Sequence, residues 1–318
     1  MEGAAVAAPV SGQFFRPQDT PLSVIWKFVR RKPLGAAGLI VVLILTVIGA
    51  FAPAMQRYDP ETTLVIENPN YDPNSFETEA FSPVIPNLKG DPSTTNWLGT
   101  DVGGRDTWAR LVWGARRSMG VGVGALVIAT VVGTMLGVIS AYFGGLLDTT
   151  LQRLLDAIQA FPPLLLLILI ASTRPPSITN LILALGFIGI TQVSRIVRGT
   201  VLVTRELPYV EAAKVIGAND LRTMIVHILP NVTAPIIVIF TIGLATVIVA
   251  EASLSFLAVA PPGASWGEML SNGRGVITQT PYIALFSGAA ISLAVLGFNL
   301  AGDALRDVLD PRLRNRAQ

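Results

Sequence analysis

Few side chains in this sequence could carry out covalent or acid–base chemistry. The chain has no cysteine and a single histidine, His227, so thiol catalysis and disulfides are excluded and a histidine metal cluster is not expected. It also lacks the Gly-x4-Gly-Lys-Ser/Thr sequence whose backbone cradles phosphates, so we do not expect it to hydrolyse ATP. Asp156 and Glu251 lie near the ends of apolar runs, whereas a proton relay would need acids at mid-depth. We therefore predict that the chain is not an enzyme and holds no metal or cofactor.

The composition is typical of a membrane protein. Of the 318 residues, 51% are hydrophobic and only 14% are charged, and the mean hydropathy is +0.58; soluble domains are about one quarter charged. The net charge of +2 is too small to indicate nucleic-acid binding. Residues 1–16 do not have the basic start and apolar core of a signal peptide, so we expect none.

Apolar runs predict six transmembrane helices and an all-α polytopic fold. The predicted spans are 34–55, 119–143, 151–172, 178–204, 232–259 and 282–301. The third is interrupted by Pro162-Pro163, which predicts a bend. In the second, the glycines recur at four-residue spacing, which favours close approach of a partner helix; they are Gly120, Gly124, Gly133 and Gly137. Basic flanks place both termini, 1–33 and 305–318, in the cytoplasm. Residues 21–32 have the stripe of an interfacial helix.

Residues 56–117 form a predicted external loop. Its proline-rich, acidic first part is either a small folded lid or disordered. Its last part contains four arginines, yet no apolar run precedes it that could return the chain to the cytoplasm. We predict a short amphipathic elbow helix there, capped by Asp106, with Trp108, Leu111 and Val112 facing the membrane.

An island of charge, residues 205–231, separates the fourth and fifth spans. An apolar stripe at helical spacing predicts a first helix, which Gly217 can end by adopting a left-handed conformation. Asn219 or Asp220 can cap a second helix, and Pro230 is expected to stop it. The two predicted stripes are Leu207, Val210, Ala213 and Ile216, then Leu221, Met224, Ile225 and Ile228. We predict a helical hairpin with two apolar faces and a basic rim.

Three parts of this island resemble the EAA loop of permease subunits of ATP-binding-cassette (ABC) importers. They are Glu211-Ala212-Ala213, Gly217 and Leu229-Pro230. His227 stands where that loop usually has isoleucine, but His-Ile-Leu-Pro-Asn is similar to the form in the dipeptide and oligopeptide branch. Three further stretches resemble signatures of that branch, and with the loop they cover roughly residues 20 to 314. These stretches are 98–118, 251–273 and 298–314.

The resemblance implies a C-type permease subunit with a type I ABC importer permease fold, whose conserved transmembrane domain spans 118–304. It implies a heterodimer with a second permease, two cytoplasmic ATPase subunits that bind ATP and Mg, and an extracytoplasmic substrate-binding protein, in a bacterial or archaeal cytoplasmic membrane. By the same resemblance the hairpin is the coupling helix that docks on an ATPase. The residues expected to couple are Glu211, Ala212, Ala213, Gly217, Ala218, Asp220, Leu221, Leu229 and Pro230.

The residues leave other interpretations open. Physical pattern alone would allow the hairpin to be a plain connecting loop that lies on the bilayer. The expected cargo is a di- or oligopeptide, with glutathione, nickel chelates and oligosaccharides as alternatives. A stand-alone secondary transporter would need buried ionisable residues and no partner, and a membrane enzyme would need a polar cluster that the spacing does not suggest.

Overall fold

A computed structural model describes residues 28–30, 32–71, 82 and 84–309 of the chain. Most of the predicted interfacial helix, part of the acidic loop and the last nine residues therefore lie outside the described residues. The first half contains α1 (Pro33–Ala50), α2 (Ala52–Met55), β1 (Val65–Glu67), β2 (Val84–Pro86), α3 (Thr107–Phe143), α4 (Gly145–Gln159) and α5 (Pro163–Ser172). The second half contains α6 (Ile178–Thr204), α7 (Pro208–Val215), α8 (Asp220–Arg222), a π-helix (Thr223–Ile228), α9 (Leu229–Phe256), α10 (Trp266–Arg274) and α11 (Pro281–Leu309).

The predicted all-α polytopic membrane fold is confirmed. Among the described residues, α1, α3, α6, the continuous run from α8 to α9, and α11 are each long and apolar enough to cross a membrane. The pair α4 and α5 is a sixth candidate if it counts as one span. The 18 residues of α1 rise about 27 Å at 1.5 Å per residue, close to the hydrocarbon thickness of a bilayer.

Helix α3 lies at the centre of the bundle and packs along α6 and α9, while α11 packs along α1 and α9. Small residues allow the approach of α3 to α6. A methyl group added at Gly137 would lie 2.7 Å from the backbone oxygen of Ser194, and one added at Gly133 would lie 2.8 Å from Val193 Cβ. These two glycines therefore lie at a close helix contact, as their spacing predicts. The paired prediction for Gly120 is wrong, because nothing lies within 4 Å of it.

The elbow and the second span form one helix rather than two. Helix α3 runs without interruption for 37 residues, and the Asp106 side chain caps it by accepting from the Ala109 amide. No proline interrupts residues 107–143, so nothing forces a break between the predicted elbow and span. The predicted membrane-facing position of Val112 is also wrong, because that side chain is 1% exposed and packs inside the protein.

The third predicted span is two separate helices rather than one bent helix. Helices α4 and α5 meet at 84° across the Pro162-Pro163 step. Pro162 has an extended backbone, and Pro163 begins α5 at a position where its missing N–H is tolerated. The ten residues of α5 rise about 15 Å, half of the hydrocarbon thickness, so α5 alone cannot cross the membrane.

The loops between the long helices gather at one end of the bundle, which we call the loop end (residues 56–106 and 260–280). In the described part of the acidic loop, β1 and β2 pair antiparallel, with Val65 opposite Pro86. Helix α10 packs against α11, and its Trp266 is fully buried and donates to the Leu111 carbonyl. Near the C-terminus, α11 continues to Leu309. The first residues of the cytoplasmic tail predicted from residue 305 are therefore helical.

Candidate functional site

The charged island folds into the predicted hairpin (residues 205–231, the hairpin end of the bundle). Pro208 begins α7, and Gly217 follows its end with φ +91°. The Gly217 amide donates to the Lys214 carbonyl and the Ala218 amide to the Ala213 carbonyl, so backbone bonds of the glycine turn satisfy the helix end. The predicted role of Gly217 as the helix terminator is confirmed.

Asn219, rather than Asp220, caps the second helix. Its side-chain oxygen accepts from the Arg222 amide at 2.8 Å, which satisfies one of the free N–H groups at a helix start. The carboxylate of Asp220 is therefore free for another partner, and it accepts from the Tyr142 hydroxyl at 2.7 Å.

Pro230 does not stop the second helix, contrary to the prediction. The backbone widens into a π-helix over Thr223–Ile228 and continues as α9, with the Leu229 amide bonded to the Met224 carbonyl five residues back. Because the α-helix restarts at Leu229, Pro230 lies in its first turn, where a proline costs little. The hairpin is thus joined to α9 by continuous helix.

Each predicted apolar stripe divides into a buried and an exposed part. Val210, Ala213 and Ile228 are buried, and Val210 and Ile228 pack on residues of α3 and α6. Ile216 is 85% exposed and Leu221 is 63% exposed. These two residues flank the Gly217 turn, so the parts of the two predicted stripes nearest the turn are not covered by the described chain.

The nine predicted coupling residues all lie on this hairpin, but they differ in accessibility. Ala213 is buried, and Ala218 and Leu229 are partly buried. The exposed members are Glu211, Ala212, Gly217, Asp220, Leu221 and Pro230. We define the hairpin tip as Val215, Ile216 and Leu221, of which Val215 is 81% exposed. The sequence comparison with the EAA loop did not single out the two residues that precede Gly217.

The last turn of α3 supports the hairpin. The Tyr142 ring lies 4.8 Å from Lys214 Nζ, its hydroxyl bonds to Asp220, and the Arg205 guanidinium donates to the Ala141 carbonyl. Sequence reasoning missed Tyr142, because nothing in the local pattern of α3 shows that it faces a loop some 60 to 80 positions later.

Arg195 and Arg198, near the hairpin end of α6, have carboxylate partners on α4. Arg198 Nη2 lies 2.5 Å from Asp148 Oδ2, and Arg195 Nη2 lies 2.7 Å from Asp156 Oδ1. The ion pairs connect the bent pair α4–α5 to α6.

The arginines of the loop end are also paired. Arg110 is fully buried and contacts Glu61 at 3.1 Å, Glu268 at 3.0 Å and Asp101 at 3.4 Å. Arg105, which is 19% exposed, contacts the same three carboxylates. Since these acids neutralise the arginines, their charge gives no indication of which side of the membrane this segment occupies, and a count of basic residues alone would be misleading.

A cavity of about 1110 Å³ opens between the broken helix pair and the bundle. Its wall is contributed by α4, α5, α6, α9 and the end of α11, with Leu126 of α3. The lining is largely apolar with a few polar groups, among them Gln159, Thr191, Gln192, Arg195, Asn231, Thr246 and Arg306. The sequence left the substrate path unassigned, because the 84° break between α4 and α5 is what creates this space.

Within the described ranges, no group of three His, Cys, Asp or Glu side chains could hold a metal ion. His227 is half-buried in the π-helix, and its backbone carbonyl accepts from Asn231 and Tyr209. The backbone at His227 thus takes part in the junction between the hairpin and α9.

Two family profiles match the chain. Residues 133–315, more than half of the sequence, match the family described as "Binding-protein-dependent transport system inner membrane component". Residues 20–74 match "N-terminal TM domain of oligopeptide transport permease C". The first match contains the whole hairpin and every residue of the cavity lining except Leu126, and the second contains α1.

Three relatives are similar over nearly the whole chain. A protein of Brucella abortus biovar 1 named as a peptide transport system permease protein is 39% identical over 311 residues, 97% of this chain and 98% of the relative. A similarly named protein of Brucella suis biovar 1 is 37% identical over the same shares. The glutathione transport system permease protein GsiD of Pectobacterium atrosepticum is 36% identical over 299 residues, 93% of each chain. The chain therefore belongs to the ABC importer permeases of binding-protein-dependent transport systems, as a C-type subunit of their peptide branch.

Proposed function

We propose that this chain forms half of the translocation path of an ATP-driven importer of short peptides, and that its hairpin tip binds a cytoplasmic ATPase subunit. The observation that carries the proposal is the tip itself. Val215 and Ile216 are more than four-fifths exposed, although both lie at the end of a polar hairpin. An exposed apolar patch rimmed by polar groups indicates a protein interaction site.

The tip is a better protein contact than a lipid contact. Its neighbours Lys214, Asn219, Asp220 and Arg222 are charged or polar and exposed, and burying them in hydrocarbon would be costly. A groove on a partner protein can cover the tip and leave these groups in water. The partner we propose is an ATPase subunit, because relatives of this chain are permeases of transport systems and the sequence lacks a phosphate-binding loop of its own. In this proposal the hairpin and both termini lie in the cytoplasm.

The cavity is this chain's share of the path. Its volume of about 1110 Å³ is slightly above the roughly 300–1,000 Å³ of sites that enclose a small organic ligand, so it has room for a short peptide. A second permease subunit would close its open side in a heterodimer, and an extracytoplasmic binding protein would deliver cargo to the loop end. The apolar wall with dispersed amide and hydroxyl groups suits varied peptide side chains better than one fixed charge.

Peptides are the favoured cargo because relatives at 37% and 39% identity carry peptide transport names. Glutathione, itself a short peptide, is the second candidate, since a relative at 36% identity is named for its transport. Nickel chelates and oligosaccharides stand as further alternatives. The stand-alone transporter is disfavoured by the exposed tip, which such a protein would leave without a partner.

The test is uptake into liposomes of a labelled dipeptide and of glutathione. The chain is reconstituted with its second permease and binding protein, with and without the ATPase subunits. We expect uptake that requires both ATP and the ATPase subunits, and competition between cargoes identifies the preferred one. Uptake by this chain without ATPase subunits would overturn the proposal.

A further inference from the structure

The hairpin contacts α3 through both of its helices. Tyr142 is one residue before the end of α3. Its ring makes a cation–π contact with Lys214 of α7, whose Nζ lies 4.8 Å from the ring centroid, and its hydroxyl donates a hydrogen bond to Asp220 of α8 at 2.7 Å. Next to it, the Ala141 carbonyl accepts from Arg205 at the start of the hairpin. Tyr142 therefore lies where the two arms of the hairpin and the end of α3 meet.

Asp220 is also the first residue of a long continuous helical run, Asp220–Phe256, which we call the lever. The helical run Asp220–Phe256 has 37 residues because the π-helix joins α8 to α9 without a break. Far along this run, Glu251 accepts from Ser118 of α3 at 3.0 Å. Side-chain hydrogen bonds thus tie the lever to α3 at two places, at the hairpin end through Tyr142 and Asp220 and nearer the loop end through Ser118 and Glu251.

These two ties have different surroundings. The Ser118–Glu251 bond is fully buried, whereas Asp220 is exposed at the hairpin end. The close packing around the buried Ser118–Glu251 bond holds it rigid. At the hairpin end, Val210 and Ile228 also pack in the cluster that contains Ala141. The polar contacts to Lys214 and Asp220, however, come from one tyrosine, so Tyr142 is a place where a force applied to the tip could be lost.

We propose that Tyr142 is a positioning residue that makes the hairpin and α3 move as one body when the hairpin tip is displaced. This inference rests on the proposed coupling function. Without the Tyr142 hydroxyl, the ATPase would still bind the tip, which the residue does not touch, but the hairpin would move partly on its own. ATP would then be hydrolysed with less transport.

The first experiment compares Tyr142→Phe with the wild type in the reconstituted complex. The phenylalanine keeps the ring beneath Lys214 and removes the bond to Asp220. We expect unchanged co-purification of the ATPase subunits and about a fivefold fall in cargo transported per ATP hydrolysed, the size expected for one ordinary hydrogen bond, since Asp220 is exposed to water. An unchanged ratio would overturn the inference, and so would loss of ATPase binding, which would make Tyr142 part of the docking surface.

Tyr282→Phe is the matched control. It removes one hydroxyl that bonds to the Gly90 carbonyl at the loop end, far from the hairpin. We expect its ratio of transport to hydrolysis to equal the wild-type ratio. An equal fall in both variants would show a general effect of lost hydroxyl groups and contradict the inference.

A rescue experiment separates positioning from folding. The chain has no cysteine, so Tyr142→Cys with Asp220→Cys creates a unique pair that a short bismaleimide can join. We expect the uncrosslinked double variant to transport poorly per ATP and the crosslinked one to recover, because a covalent tie replaces the hydrogen bond. Failure of the crosslink to restore the ratio would overturn the inference. If the wild-type complex showed no ATPase binding at all, the proposed function would fail instead.

Discussion

Glu251 and Arg117 form an ion pair inside the protein, with 3.3 Å between Oε1 and Nε; Glu251 is fully buried and the Arg117 side chain is 7% exposed. Glu251 also accepts from Ser118 and Ser255, and Arg117 donates to the carbonyl of Pro261. The pair joins α3, α9 and the loop before α10. It explains why an acid and an arginine can lie near the ends of two apolar helices.

Replacing Glu251 by Gln should destabilise the protein. Removing one partner leaves the other charge buried and uncompensated, which costs roughly 3–5 kcal/mol. We expect a lower unfolding temperature of the detergent-purified chain, measured by intrinsic fluorescence. The double variant Arg117→Gln with Glu251→Gln should unfold at a higher temperature than Glu251→Gln alone. Equal temperatures for the two would mean that the pair makes no energetic contribution.

Arg110 and Arg105 share three acidic partners, Glu61, Asp101 and Glu268, but only Arg110 is fully buried. Arg110→Gln should therefore lower the free energy of unfolding by roughly 3 kcal/mol. Arg105→Gln is the matched control and should cost less than Arg110→Gln, since the Arg105 side chain is 19% exposed and is partly hydrated. Thermal unfolding of both variants checks the order, and a larger effect at Arg105 would contradict it.

Replacing Gly217 by Val should impair transport without preventing membrane insertion. A side chain added at Gly217 would meet nothing within 4 Å, but the backbone there has φ +91°. The cost is therefore conformational, about 1–2 kcal/mol, and falls on the turn that presents the hairpin tip. Membrane fractionation and peptide uptake are the measurements.

Gly199→Ala is the control for Gly217. Gly199 also has open space around it but lies in the ordinary backbone of α6. We expect wild-type uptake from that variant. Wild-type uptake from Gly217→Val would show that the left-handed turn does not matter for coupling.

Filling the cavity should block transport and leave the assembly intact. Thr246 of α9 lines the cavity, so Thr246→Trp would place an indole in the proposed path. We expect peptide uptake to fall at least about tenfold, because the indole would occupy space that the cargo needs and would have to move aside for each passage, while the ATPase subunits still co-purify. Val249→Trp, on the same helix but outside the cavity lining and 45% exposed, should transport normally. Equal uptake by the two variants would remove the cavity from the path.

Much of this architecture could be predicted from the sequence. Hydropathy located the apolar runs, and the fourth predicted span agrees with α6 at both of its ends. Local chemistry also predicted Asp106 as a cap and Gly217 as a helix terminator, because both effects depend on neighbours within a few residues. Continuity was harder to predict. The π-helix over Thr223–Ile228 joins α8 to α9 and so shifts Pro230 into the first turn of α9, and no local sequence pattern predicted it.

The remaining errors concern contacts between distant parts of the chain. Tyr142 meets Asp220 across 78 positions, and Arg110 meets Glu268 across 158. A single sequence does not reveal such pairings, because periodicity shows which face of a helix is apolar and not which helix faces it. The same limit explains the cavity, which exists because α4 turns by 84° from α5; the double proline predicted a bend but not its angle.

The hairpin tip can be tested most directly with one introduced thiol. Because the chain has no cysteine, Ile216→Cys gives a unique label at an 85% exposed position. Leu146→Cys is the control, since Leu146 is 87% exposed at the start of α4 and lies outside the hairpin. In the assembled transporter we expect a short crosslinker to join the thiol at 216, but not that at 146, to an ATPase subunit. An impermeant maleimide added to intact cells should leave the thiol at 216 unlabelled. Labelling from outside, or no crosslink to an ATPase, would contradict the claim that this hairpin receives the force of ATP hydrolysis.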